Sequence, residues 1–176
     1  MIPHGYEWLV TVGALPKMLT EMLGLVGTIE TPGAANNPVI MGWASEIGIR
    51  AEYTADSVPW CGLAMAVAAK RAGYTAPAHP LWALNWKAFG NPGGQPCLGD
   101  VLVFVRDGGG HVGLYIAEDA GAYHVLGGNT ADKVGIARIL KPRLVGVRSP
   151  PFKIGRPGSS RPYIVAATGA LSTNER

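Results

Sequence analysis

DVLVFVRDGGGHVGLYIAEDAGAYHVLGG, residues 100–128, consists of three short apolar runs separated by DGGG and EDAG. The runs are rich in Val, Leu, Ile and Tyr, and each is bounded by Gly or Asp, which is the pattern of strands joined by tight turns. Connections this short leave no room for a crossover helix, so the strands must run antiparallel. VGIARIL (134–140) and RLVGVR (143–148), divided around KPR, continue the pattern and bring the expected sheet to about five strands.

Upstream of this stretch the apolar period changes from strand-like to helical. Pro16 is placed to open a helix through Met18, Leu19, Met22 and Leu23 that stops at Gly24. After the turn sequence ETPGAANNP, Asn37 is placed to cap a helix beginning at Pro38, carrying Val39, Ile40, Trp43 and Ile47 and stopping at Gly48. A third helix is expected from about Val58 to Ala72, with Asp56 or Ser57 as cap, Pro59 in the first turn and Gly73 as terminator. PLWALNWKAFG reads as a short helical turn. Helices followed by an antiparallel sheet make an α+β fold, the helices packed on the sheet. Residues 1–150 are expected to form one domain, and 151–176, rich in Pro, Gly, Ser and Arg, a C-terminal tail or linker.

Composition bounds the function. With 48% hydrophobic residues in 176, the chain can bury a core without disulfide or metal staples. Its net charge of +3 is spread without a basic run, which argues against nucleic acid and is compatible with an anionic polymer. Apolar stretches are too short for a transmembrane helix, so no membrane insertion is expected, and the N-terminus lacks the pattern of a secretory signal. Cys61 and Cys97 lie in dissimilar contexts and are not expected to pair.

Two residues carry the chemistry. Cys61 falls in the first turn of the third helix, where the positive end of the helix dipole favours a thiolate. His111 opens a strand after three glycines, on the face shared with Gly113 and Tyr115, so that it points toward the helices or into a cleft beside a residue with no side chain. A thiol on a helix terminus and an imidazole on a sheet are the parts of a cysteine nucleophile with its base. No C-x-x-C, no H-E-x-x-H and no paired histidine spacing suggests a metal, and no two carboxylates share a distinctive context, so neither a metal nor another cofactor is expected.

PWCGLAMAVAAKRAG, PCLGDVLVFV and GGGHVGLYI, in that order, resemble the NlpC and CHAP families of papain-like peptidoglycan hydrolases over residues 25–148. The resemblance implies a papain-like fold, Cys61 as nucleophile, His111 as base, and Gly99 with Asp100 as the turn into the first strand. For the group that orients the imidazole it leaves two choices. Asn129, in LGGN, matches the CHAP pattern and is preferred, while His124, thirteen residues after His111, matches the NlpC pattern. The expected oxyanion donors are the Cys61 backbone N–H and, by position, Tyr53. Trp60, Trp82 and Trp86 are candidates to line a groove for peptide or glycan. Glu30 resembles a recurring acidic position in related phage-type proteins.

The expectation is therefore a cell-wall hydrolase, acting as a monomer on bacterial peptidoglycan. It would be either an N-acetylmuramoyl-L-alanine amidase or a stem-peptide endopeptidase, working through an acyl-enzyme. The absent secretory pattern implies release through a pore, as for a phage lysin, or delivery by a secretion machine. Rival readings are an acyltransferase or transglutaminase-like enzyme on the same fold, and a non-catalytic wall-binding module.

Overall fold

A computed structural model describes residues 2–167 and 169–172. It is an α+β fold: three α-helices, α1 (Lys17–Gly24), α2 (Pro38–Glu46) and α3 (Cys61–Arg71), precede a six-stranded antiparallel sheet. The strands are β1 (Asn91–Pro92), β2 (Val101–Arg106), β3 (Gly109–Glu118), β4 (Ala122–Gly127), β5 (Gly135–Leu140) and β6 (Leu144–Ser149), in the order β1-β6-β2-β3-β4-β5. Five coincide with the apolar runs of the sequence. The sixth, β1, is only two residues long and contains Pro92, so neither length nor composition marks it; it is a strand because it pairs with Arg148 and Ser149 at the sheet edge.

The helices form where their ends are chemically marked. Asn37 accepts a hydrogen bond from the Val39 N–H at 2.8 Å and Pro38 occupies the first turn of α2. Gly48 and Gly73 end α2 and α3 in the left-handed conformation, at φ 80° and 81°. α3 departs from expectation at its start: Ser57, Val58, Pro59 and Trp60 stay outside it, and Cys61 is its first residue. Asp56 does not cap it, because its carboxylate is taken by the Thr31 and Asn37 N–H groups at 3.0 and 2.7 Å. PLWALNWKAFG contains a 3-10 turn over Ala83–Ala88.

The main core lies between helices and sheet, joining Met18, Leu19, Ile40, Leu63 and Val67 to Val103, Val112, Leu114 and Ile116. The other sheet face carries a smaller cluster of Leu102, Phe104, Tyr115, Val125 and Ile139. No helix among the described residues is long and apolar enough to cross a membrane.

The segment after Pro150 is not a free tail. Arg156 donates to Asp100 at 3.1 Å, Ser160 to the Leu98 carbonyl at 2.7 Å, and Ile164 bridges to Glu118 beside β3. Its low apolar content hid this, since polar side chains and backbone bonds, rather than hydrophobic periodicity, hold it down. The last expected tail residues, 173–176, lie outside the described residues.

Candidate active site

The pairing of β3 with β4 runs from Glu118↔Tyr123 to Leu114↔Leu126 and goes no further. Beyond it, Gly127 still lies close to the Val112 and Gly113 backbone, and Gly128 lies against the first turns of α3. Gly128 makes that approach possible: a Cβ built on it would fall 2.6 Å from the Ala64 Cβ and 2.8 Å from the Trp60 ring. Gly127 plays the same part for the imidazole, since its Cβ would lie 3.3 Å from His111 Nε2.

Cys61, buried at the start of α3, has its sulfur against the backbone N–H of Val112, the residue that follows His111. His111 is fully buried on β3, opposite Phe104 of β2. By strand alternation it shares the Phe104 and Tyr115 face, beside side-chain-free Gly127, rather than the helix-facing side of Val112. The imidazole thus lies beside a glycine, and strand alternation turns it away from the helices.

The Cys61 thiol is not acidified. Burial is the largest influence and pushes its pKa up, against the opposing pull of the Val112, Gly62 and Cys61 N–H groups and the positive charge of Arg106. Arg106 escaped the sequence reading. It ends β2 and donates from Nε to the Gly110 carbonyl at 3.2 Å, a placement visible only once the β2–β3 register is known.

Of the two candidates for the orienting group, His124 is committed elsewhere. His124 lies opposite Ala117, six residues along β3 from His111, which is roughly 20 Å at strand spacing. Both of its ring nitrogens are occupied, Nδ1 with the Tyr6 hydroxyl at 2.6 Å and Nε2 with Asp119 at 2.9 Å. Extending the Leu114↔Leu126 register would set Asn129 across from His111. However, the pairing ends before it, Asn129 sits at φ 55°, and its Oδ1 accepts no hydrogen bond.

Tyr53 is buried and spends its hydroxyl hydrogen on the Val58 carbonyl at 3.1 Å, so it clasps the loop before α3 rather than offering an oxyanion donor. Its pKa is driven up, first by burial and then by Asp56 and Glu30. The three tryptophans divide. Trp60 and Trp86 are fully buried, the latter donating to the Pro80 carbonyl at 2.9 Å, and both belong to the core. Trp82 alone is open, with 73% of its surface exposed. Close to it in sequence, a depression of about 630 Å³ is lined by Leu84, Asn85 and Lys87, and Leu84 packs against Gly110, the neighbour of His111.

Glu30 reaches the site from the other side. Its Oε2 accepts the Trp60 indole N–H at 3.1 Å, and its backbone N–H donates to the Asp132 carbonyl at 2.7 Å. Burial raises its carboxyl pKa, which Asp132 and Asp56 raise further and the Trp60 bond partly offsets.

Cys97 is a free thiol, its sulfur 3.5 Å from the Gln95 carbonyl, and burial together with Asp100 pushes its pKa up against the pull of Arg156. Cys61 is likewise unpaired. Among the described residues no three His, Cys, Asp or Glu side chains group as metal ligands. Compared with protein-family models, with curated proteins and with solved structures, the chain finds no match.

Proposed function

We propose that the protein is a cysteine hydrolase that cleaves amide bonds in bacterial peptidoglycan, with Cys61 as nucleophile and His111 as general base. The observation that carries the reading is the seating of the Cys61 sulfur at the first residue of α3, against the strand backbone one residue beyond His111. Because burial pushes the thiol pKa up, its proton has to leave as the sulfur attacks, and that requires a base held in place rather than a standing thiolate. His111 takes the proton while Sγ adds to the amide carbonyl. The N–H groups at the start of α3 face the developing oxyanion. The departing amine receives the proton from His111, and water, deprotonated in turn by His111, releases the acyl group from sulfur. His124 is committed to Tyr6 and Asp119, so the reading is built on Cys61 and His111.

The choice of peptidoglycan is supported by the resemblance of PWCG, GD and GGGHVG to wall hydrolases, and by an exposed Trp82 close in sequence to a depression whose wall residue Leu84 packs against Gly110. The test is mass analysis of the soluble fragments released from purified peptidoglycan, with and without a competing small amine. The reading expects fragments ending in free carboxyl groups, with the position of the new end separating amidase from endopeptidase. A majority of amine adducts would instead mean an acyltransferase, and wall binding without fragments a non-catalytic module.

A further inference from the structure

Beside the start of α3 lies a recess of about 280 Å³ lined by Glu30, Ser57, Pro59, Asn129 and Asp132. Its walls are tied together: Ile29 bridges to Lys133, Glu30 N–H donates to the Asp132 carbonyl at 2.7 Å, and Thr130 N–H to the Lys133 carbonyl at 2.9 Å. Through the bond between Glu30 and the Trp60 indole, the recess is one residue from the nucleophile.

Two features of this recess call for a ligand. First, the carboxylates of Glu30 and Asp132 both line it, and neither is paired with a Lys or Arg among the described residues. Second, Asn129 is only 3% exposed, yet its Oδ1 accepts no hydrogen bond. Buried carbonyl oxygens are normally satisfied within the fold, and this one stands unsatisfied on a residue of the recess wall. An ammonium group carries one positive charge and three N–H donors, which matches two carboxylates and one amide oxygen. A hard divalent cation would want six or more oxygens, and no metal-ligand grouping exists among the described residues.

We propose that this recess binds a protonated primary amine of the substrate, terminal or on a diamino side chain, between Glu30 and Asp132 with Asn129 Oδ1 as third acceptor. The inference rests on the wall-hydrolase reading for the identity of the substrate, but the recess can be probed without turnover. In the full chain, ¹⁵N–¹H spectra are followed as n-butylammonium chloride is added. Tetramethylammonium chloride, equal in charge but without N–H donors, is the control. The expected result is a saturable shift of the Asn129 side-chain amide and the Trp60 indole signals with butylammonium. The response should be weaker by about tenfold or more with tetramethylammonium and in the Glu30→Gln/Asp132→Asn variant. Equal responses to the two cations in the wild type, or tighter saturation by calcium than by butylammonium, would overturn it.

Turnover supplies the second arm, using peptidoglycan before and after acetylation of its free amines. Wild-type kcat/KM should drop about tenfold or more on the acetylated wall, and the double variant should treat both alike. Digestion of both walls at one rate by the wild type removes the recess proposal and leaves the hydrolase reading standing. Butylammonium binding without digestion of either wall does the reverse.

Discussion

Cys61 is pulled in two directions, and magnitudes decide between them. A helix N-terminus favours an adjacent anion by about 0.3–2 kcal/mol, whereas full burial can cost a charged group about 4 kcal/mol or more. Burial is the larger influence and pushes the thiol pKa up, so the proposed chemistry needs a base such as His111 to remove the proton. Serine, whose hydroxyl is far less acidic, should not substitute. Cys61→Ser and Cys61→Ala are expected to lower turnover by at least about a hundredfold with unchanged circular dichroism. Retention by Cys61→Ser of more than a tenth of wild-type turnover would count against sulfur chemistry. His124 makes the contrasting case: its ring is held by Tyr6 and Asp119 far from His111. His124→Ala should destabilise by about 3 kcal/mol in urea titration, through the orphaned partners, while activity per folded molecule is preserved. A loss of kcat larger than the loss of folded protein would return His124 to the mechanism. Cys61 and His111 were legible as candidates because each stands at a punctuated element boundary. Arg106 and the Glu30–Trp60 bond were not, because they are created by strand register and loop pairing between segments distant in sequence.

At the scale of elements, period and punctuation did most of the work for the sheet. Apolar runs with Gly-rich breaks marked β2 to β6, and Gly24, Gly48 and Gly73 marked where helices stop. The start of α3 was misread because Pro59 is tolerated in a first helical turn; Asp56, the expected cap, is instead used to fasten the 31–37 loop. Trp82 and Trp86, four apart, would share one face of a regular helix, but the 3-10 turn begins after Trp82, and Trp86 is buried while Trp82 is exposed. The Gly127–Gly128 pair is the element-level device that lets the end of β4 lie close to both His111 and α3. A Gly128→Ala methyl group would enter the space of Ala64 and Trp60, and destabilisation by about 1–3 kcal/mol is expected in urea unfolding. An unchanged midpoint would mean that α3 does not seat on this loop.

For the whole molecule, two polar anchors bind distant segments, and neither was visible as periodicity. Asp119 accepts from His124, Arg138, Gly121 and Ala122, which holds its carboxyl well below the usual carboxylate range. A depressed carboxyl stabilises the fold above its unfolded value and loses that contribution as pH falls toward the folded value. Asp119→Asn should therefore cost about 2–3 kcal/mol at pH 7, with the difference from wild type shrinking below about pH 4; a gap that widens on acidification would reverse the assignment. At the C-terminal side, Arg156 reaches Asp100, a buried carboxyl that burial raises and the guanidinium lowers. Arg156→Ala should destabilise by about 2 kcal/mol, less than for a fully buried pair because Arg156 is itself a third exposed. No change in stability would make the 151–165 segment a passive tail after all.

The central claim is that Cys61 and His111 act as nucleophile and base in cutting wall amides. The most direct measurement is the rate at which new amino groups appear in purified peptidoglycan treated with wild type, Cys61→Ala and His111→Ala, each shown to be folded. The account predicts steady release by the wild type and a loss of at least about a hundredfold in both variants. Release that persists in Cys61→Ala, or no release by the wild type, would contradict it.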